Sequence, residues 1–415
     1  MQVDSKKLSK SVVWNTIGTI YYFACQWLIT ILVIRIGNYS MSGYLSLAMT
    51  ITNSFYSIAQ FGMRQFQVSD INHQYRDEIY IGSRYVSIFV AFLACIIYLF
   101  CGHYDSLQIS CTICYMLLKL VEAFVDVYQG IDQKNWHFDI IGISFLIRGT
   151  ILAVGFATGL WLTGNLAVTL LIITLLSLVT AFLIDVRMTK PFANVTGVIR
   201  DRALLRLFAA CIPVVVFNFL LSLVTLIARN TLQNIEGIEA LGIYGAVASP
   251  TVIIQLMASV IFNPFVPVFT SYFREKKNKE FGELLGKFCA ALVLLLGISL
   301  LAAKLFGKWV LVLIIGPSIA DYMYLLIPVI CSTIVTAAIW LLSATLIAIR
   351  KTAALVACTA VGVVISYFVA TPLVKSYSMN GVSYAVVISG VVQILLMLAV
   401  CVVSLWRNRY KEGII

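Results

Sequence analysis

Charged side chains stand at helical spacing inside long apolar stretches of this sequence. Lys119, Glu122 and Asp126 occupy positions i, i+3 and i+7 of one stretch, and Arg148 lies within the next. A charge deep in hydrocarbon costs at least about 2.5–3.5 kcal/mol on insertion scales, so we expect pairing or water around each of them. We expect Arg148 to meet Glu122 between neighbouring antiparallel helices. Such a cluster is either a structural ion-pair lock, a site for anions at Arg148 and Lys119, or an ion-coupling site at Glu122 or Asp126.

Uncharged polar side chains form stripes along three other apolar stretches, at spacings of three and four residues that place each set on one helical face. The sets are Ser46, Thr50, Asn53, Ser57, Gln60 and Arg64; Asn218, Ser222, Thr225 and Arg229; and Asn15, Thr19, Tyr22 and Gln26. A stripe of this kind lines a hydrated cavity or hydrogen-bonds to a neighbouring helix. Because two of the stripes end in arginine, we favour a cavity.

The elements that must position these residues are membrane-spanning helices. Of the 415 residues, 61% are hydrophobic and 11% are charged, which is far from the composition of soluble proteins. A helix needs about 20 apolar residues to cross a hydrocarbon core, and lipid leaves the backbone no other partner than itself. We predict an all-α integral membrane protein with about twelve spans, at residues 11–34, 41–63, 84–101, 107–127, 140–162, 165–184, 207–228, 241–268, 288–315, 322–347, 353–374 and 381–405.

Lysine and arginine are concentrated in alternate gaps between the predicted spans, about 22 residues against 5. Under the positive-inside rule this places both termini in the cytoplasm. The same rule accounts for the net charge of +11, so we expect no nucleic-acid partner. It leaves several basic residues unexplained, namely Arg35, Lys119, Arg148 and Arg229, with Lys304, Lys308 and Lys375 at predicted outer ends.

The polar, basic segment near residues 185–206 divides the spans into six and six. We predict an N-terminal bundle at 1–190, a cytoplasmic linker at 191–206 and a C-terminal bundle at 207–415. Ser42-Gly-Tyr-Leu-Ser46 and Leu241-Gly-Ile-Tyr-Gly245 are a weak internal echo about 200 residues apart. Two repeats in the same orientation predict a pseudo-twofold axis along the membrane normal and a site at the interface of the bundles.

No phosphate-binding loop, nucleophile elbow or metal-ligand spacing is present in the sequence. The predicted outer gaps are little more than turns, and no soluble stretch is long enough to fold as a domain. We therefore expect no enzyme, no cofactor and no metal, and we expect the protein to act inside the membrane.

Several short strings resemble bacterial O-antigen and polysaccharide flippases of the Wzx type, in the multidrug/oligosaccharidyl-lipid/polysaccharide exporter superfamily. They are Ser11-Val-Val-Trp-Asn-Thr-Ile-Gly18, Leu32-Val-Ile-Arg35, Ser42-Gly-Tyr-Leu45 and Gln60-Phe-Gly-Met-Arg64. The resemblance implies a V-shaped, MATE-like pair of bundles that alternates between inward-open and outward-open forms. It implies an undecaprenyl-diphosphate-linked oligosaccharide as substrate, flipped from the cytoplasmic to the outer leaflet of the bacterial inner membrane during synthesis of O-antigen, capsule or exopolysaccharide. Membrane lipids, the polymerase and other polysaccharide-assembly proteins are the implied partners.

The residue types suit that substrate. A diphosphate requires cations, for which Arg148, Arg35, Arg229, Arg64 and Lys119 are the candidates, and arginine supplies bidentate donors. Sugars require hydroxyls and amides, and the candidates are Asn53, Ser57, Gln60, Asn218 and Ser222.

Two other functions stay open. A cation-coupled multidrug exporter of the same superfamily would favour an acidic cavity, whereas the deep charges here are at least as basic as acidic. An integral-membrane polysaccharide polymerase or acyltransferase is the second alternative. Polymerases of that pathway carry a large outer loop, which this sequence lacks. Proton coupling, sodium coupling and a substrate gradient are equally open as energy sources.

Overall fold

In the part that its computed structural model describes, residues 5–70, 74–262 and 265–410, the protein is mainly helical and contains no strand. Its helices form two compact units, Met1–Phe219 and Leu220–Ile415. The division falls inside one long helix, while the predicted division at 191–206 stays a prediction. The predicted all-helical membrane fold is confirmed.

Among its described residues, the first unit contains eight helices and the beginning of a ninth. They are α1 (Ser5–Ile36), α2 (Tyr39–Gln60), α3 (Met63–Ser69), α4 (Asp77–Cys101), α5 (Ser106–Lys134), α6 (Phe138–Thr163), α7 (Leu166–Thr180), the short α8 (Arg187–Thr189) and the start of α9 (Arg202–Ala248). A π-helical turn at Ala181–Val186 joins α7 to α8.

In the part that the structure describes, the second unit contains the rest of α9 and six further helices. These are α10 (Val252–Phe262), α11 (Val266–Arg274), α12 (Asn278–Ile314), α13 (Leu326–Ala348), α14 (Thr352–Tyr377) and α15 (Asn380–Tyr410). Turns of 3-10 helix precede α10 at Ser249–Thr251 and α13 at Pro317–Leu325.

Ten helical segments of the described residues are long and apolar enough to cross a membrane. One of them, Arg202–Gln255, contains most of the predicted seventh and eighth spans, which are separated by a break at Gly237 (φ 89°, ψ 177°). Helix α2, which carries a polar stripe, is not among the ten. Helix α12 continues without interruption through Lys304 and Lys308, and both side chains are exposed.

Two consecutive left-handed residues, Phe61 (φ 52°) and Gly62 (φ 61°), separate α2 from α3. The predicted second span at 41–63 assumed one continuous helix, but α2 ends at Gln60. Glycine tolerates this conformation, and the Phe61 ring packs edge-on against Phe208, with centroids 4.8 Å apart. The break therefore places Arg64 on a separate short helix.

Helices α1 and α6 pack so closely that their backbones touch. A methyl group added at Gly18 would collide with the backbone of Gly142, and one added at Gly142 would collide with the Trp14 carbonyl. Small residues allow this approach, which is a common way to associate helices in lipid. The contact holds the Tyr22 region of α1 beside the Arg148 region of α6.

Two large apolar clusters pack the helices of the first unit. One joins α1, α2, α5, α6 and α7, through residues such as Ile29, Tyr115 and Phe156. The other joins α3, α4 and α5 to Leu207 at the start of α9 and to other residues of that helix. The polar site described next lies on the same helices.

Candidate functional site: a charged cavity in the first unit

A cavity of about 290 Å³ opens among α1, α2, α3, α5 and α6. Its lining combines basic, acidic, amide and aromatic side chains. The lining residues are Tyr22, Phe23, Gln26, Tyr56, Gln60, Arg64, Lys119, Glu122, Val125, Asp126, Gln129, Phe145 and Arg148. Six of the predicted site residues meet here: Gln60, Arg64, Lys119, Glu122, Asp126 and Arg148.

Glu122 is held by three partners. Its Oε2 accepts a hydrogen bond from Lys119 Nζ at 2.8 Å, one helical turn away on α5. Its Oε1 accepts hydrogen bonds from the Tyr22 hydroxyl at 2.7 Å and from Gln26 Nε2 at 3.4 Å. Because both oxygens have donors, Glu122 is fixed in place as a paired carboxylate.

Asp126 lies between two arginines. Arg64 donates to its Oδ1 at 3.1 Å and Arg84 donates to its Oδ2 at 2.7 Å. The Arg84 side chain is fully buried and also donates to the Ala59 carbonyl, whereas the Arg64 side chain is 30% exposed and lines the cavity. Gln129 accepts a further hydrogen bond from Arg64. Asp126 therefore anchors a pair of cations, of which one faces the cavity.

Arg148 pairs with Asp185 and not with Glu122, so the expected Arg148–Glu122 pair was wrong. Its Nη2 donates to Asp185 Oδ2 at 3.0 Å, and the two side chains are 5% and 0% exposed. The π-helical turn at Ala181–Val186 carries Asp185. The Nε of Arg148 is buried and has no hydrogen-bond partner among the described residues, so this guanidinium keeps donor capacity in a side chain that lines the cavity.

Basic groups exceed acidic groups in this network. Four cations, Arg64, Arg84, Lys119 and Arg148, face three carboxylates, Glu122, Asp126 and Asp185, in ion pairs of 2.7–3.1 Å. In their usual ionisation states these groups leave one positive charge. The arrangement can therefore attract an anion while every carboxylate stays neutralised.

The remaining predicted site residues lie elsewhere. Arg35 is exposed in the last turn of α1, and Asn53 and Asn218 are exposed. Ser57 donates to the Ser54 carbonyl at 2.7 Å within α2. Ser222 and Arg229 belong to the second unit, where the Arg229 guanidinium lies 5.6 Å from the centre of the Tyr244 ring. Their assignment to substrate binding stays a prediction.

Sequence reasoning missed Arg84 and Asp185 because both stand at the ends of apolar runs. We predicted Arg84 at the first residue of one span and Asp185 directly after the last residue of another, yet both side chains are completely buried. Helix α4 begins seven residues before Arg84, at Asp77, and the π-helical turn extends the sixth span beyond Asp185. Each charge remains inside because it has a partner of opposite sign. Tyr56 and Gln129, also missed, fall on the faces of α2 and α5 that carry Gln60 and Asp126.

The second unit has a cavity of a different character, of about 350 Å³. It lies between α9 and α14 and is lined by neutral polar and aromatic side chains, together with one aliphatic one. The lining residues are Ile227, Asn230, Thr231, Asn234, Tyr367, Phe368 and Thr371. Of these two cavities, only the one in the first unit is lined by charged side chains.

Comparison with known proteins finds one relative by sequence and several solved structures with a similar fold. No family model matches the chain. The capsular polysaccharide biosynthesis protein CapF of Staphylococcus aureus is 28% identical over 299 residues, covering 68% of this chain and 74% of CapF. A MATE family multidrug transporter of the MOP superfamily in its inward-facing conformation matches with a TM-score of 0.73 and 12% identity, over 97% of this chain and all of the other.

Two further solved structures agree. The outward-facing conformation of a MATE transporter has a TM-score of 0.60 and 16% identity, over 99% of this chain and 98% of the other. A MOP superfamily transporter from Pyrococcus furiosus has a TM-score of 0.59 and 14% identity, over 97% and 96%. At these identities the likeness establishes the fold: the chain is a multi-pass membrane protein with the fold of MATE transporters.

Proposed function

We propose that this protein flips an undecaprenyl-diphosphate-linked oligosaccharide from the cytoplasmic to the outer leaflet of the bacterial inner membrane by alternating access, for synthesis of a capsule or related surface polysaccharide. The observation that carries the proposal is the excess of cations at the cavity of the first unit, where Arg148 retains an unused donor. The relative CapF supports the polysaccharide class of substrate, and the MATE fold supports transport.

The cavity chemistry fits a diphosphate better than a sugar alone. Phosphate oxygens accept charge-assisted hydrogen bonds, and a guanidinium presents several donors in a plane that matches them. Arg64 is the most exposed of the cations, and Arg148 has the unused Nε. The nearby amides of Gln26, Gln60 and Gln129 can bond to sugar hydroxyls. The polyprenyl tail requires no protein cavity because it can remain in the bilayer.

Multidrug export is the second candidate, since the solved structures with this fold include multidrug transporters. An exporter of organic cations needs an unpaired carboxylate in its cavity. Here Glu122 and Asp126 are each paired with cationic side chains of the same unit. This pairing favours an anionic cargo. An enzymatic alternative has no comparable support, because the carboxylates that could act as acid or base are held in the same ion pairs.

The test is complementation of a strain that lacks the gene. We expect the deletion strain to accumulate the lipid-linked oligosaccharide in the cytoplasmic leaflet. Arg148→Ala should reduce polymer export roughly tenfold or more, since a hydrogen bond to a charged group contributes about 1.5–3 kcal/mol. Arg148→Lys should retain part of the export. Arg206→Ala, which removes an exposed arginine at the start of α9, is the matched control and should export normally.

Normal export by an Arg148→Ala protein that is made at the parental level would contradict the assignment of Arg148. Accumulation of unpolymerised units outside the cell, instead of inside, would indicate a polymerase. A deletion strain that loses resistance to cationic drugs but keeps its polysaccharide would favour the exporter.

A further inference from the structure

The ammonium group of Lys119 lies in a cage of one carboxylate and two aromatic rings. Its Nζ is 2.8 Å from Glu122 Oε2, 5.4 Å from the centre of the Tyr56 ring and 5.6 Å from the centre of the Tyr115 ring. The cage is largely closed, since the Lys119 side chain is 9% exposed. The lysine thus occupies a defined site and does not extend freely into the cavity.

The walls of this cage are the chemistry that proteins use to bind organic cations. Aromatic faces attract ammonium ions through the ring quadrupole, and a neighbouring carboxylate supplies the opposite charge. The Tyr22 hydroxyl and the Gln26 amide bond to the second oxygen of Glu122, so the carboxylate is oriented by groups other than Lys119. The site would keep its shape if the lysine were shortened.

Lys119 competes with any free cation from a favourable position. It is attached to the same helix as Glu122, three residues away, so its ammonium group acts as an intramolecular ligand. An intramolecular ligand has a high effective concentration, which a dissolved cation at ordinary concentration does not match. The tether therefore keeps the cage filled.

We propose that the cage of Tyr56, Tyr115 and Glu122 is an organic-cation site that Lys119 fills permanently, so that this lysine excludes cationic cargo from the cavity. The inference deepens the proposed function, because it names the residue that sets the charge class of the cargo. Shortening Lys119 should open a site for primary and quaternary ammonium ions. The cage itself does not depend on the identity of the native substrate.

The experiment measures binding of n-propylammonium and tetramethylammonium to the purified full-length protein in detergent, by the concentration dependence of thermal stabilisation. The first probe reproduces the part of the lysine side chain that Lys119→Ala removes. We expect both probes to stabilise Lys119→Ala and to bind it at least roughly tenfold more tightly than they bind the wild type, as the loss of a competing tether implies. Lys119→Ser, which keeps a hydroxyl next to Glu122, provides a second open variant should Lys119→Ala not fold.

Three controls define the site. Lys119→Arg keeps a tethered cation and should bind neither probe. The double variant Lys119→Ser with Glu122→Gln lacks the carboxylate and should lose the binding gained by Lys119→Ser. Lys304→Ala removes an exposed lysine of α12 and should behave as the wild type.

A folded Lys119→Ala or Lys119→Ser protein that binds neither probe would overturn the inference. Equal binding by the wild type, or binding that survives Glu122→Gln, would overturn it as well. These results are independent of polymer export by the Arg148 variants. Failure of the ammonium experiment leaves the proposed function in place, whereas a deletion strain that keeps its polysaccharide removes the function and leaves the cage.

Discussion

Breaking the Arg148–Asp185 pair should destabilise the protein strongly, and restoring neutrality should recover much of the loss. The two side chains are 5% and 0% exposed and 3.0 Å apart. With an effective dielectric constant of about 20, their Coulomb attraction is about 5 kcal/mol, which is partly offset by the cost of burying both charges. Replacing Asp185 by Asn leaves the guanidinium buried without a counter-ion. Removing one partner of such a pair costs roughly 3–5 kcal/mol.

A double-mutant cycle isolates this interaction. Arg148→Met and Asp185→Asn should each destabilise the protein, but the double variant should be destabilised by far less than the sum, because no uncompensated charge remains. We expect a coupling free energy of about 3 kcal/mol, at the upper end for residues in contact. The measurement is reversible unfolding in mixed detergent–SDS micelles, followed by circular dichroism.

The cycle also separates the structural role of Arg148 from its proposed role in transport. The double variant should fold and still fail to export polymer, because the guanidinium that would bind the diphosphate is gone. Additive effects, within about 0.5 kcal/mol, would refute the electrostatic argument. Normal export by the folded double variant would show that Arg148 is a structural lock only.

Two further predictions concern packing and pH. Gly142→Ala should destabilise the protein by roughly 1–3 kcal/mol, because the added methyl group meets the backbone of the facing helix. The control is Gly297→Ala on α12, where the added methyl group meets no other atom. This variant should be neutral or slightly stabilised in the same unfolding assay. Partial burial of Asp70 opposes ionisation, yet hydrogen bonds from the backbone N–H groups of Tyr75 and Gln74 hold its pKa below the ordinary 3.8. The ionised Asp70 should therefore stabilise the protein above about pH 4, and this stabilisation should be lost as the pH falls through the lowered pKa. Hydrogen exchange of the segment between α3 and α4 should show this acid dependence in the wild type but not in Asp70→Asn.

Helical periodicity predicted much of the cavity. The stripe on the first span correctly placed Tyr22 and Gln26 on one face, and the spacing of Lys119, Glu122 and Asp126 placed them together on α5. These predictions succeed because the relation between residues on one helix follows from its period alone. The N-terminal part of the α2 stripe does not line the cavity. Ser46 and Thr50 are buried, and the Thr50 hydroxyl donates to the Ser46 carbonyl, while Asn53 is exposed.

Partners on different helices were not predictable in the same way. Arg148 has acidic residues on two neighbouring helices, Glu122 on α5 and Asp185 beyond α7, and the sequence contains no measure of the register between helices. Lys119, which lies on the same helix as Glu122, forms the ion pair with Glu122, and Arg148 forms its ion pair with Asp185. The π-helical turn that carries Asp185 is a second feature with no signal in the apolar pattern.

Some basic residues that the sequence assigns to loops have buried side chains in the structure. Arg84 contributes to the basic loops that orient the predicted topology, yet its side chain is buried against Asp126. Four uncompensated cations at this depth would be costly to insert and would hold a diphosphate too tightly for release. Three carboxylates on the same bundle reduce the excess to one charge, which suits the proposed transport, in which an anion is bound in one conformation and released in another. The carboxylates of the first unit are thus as important to the proposed flippase as its arginines.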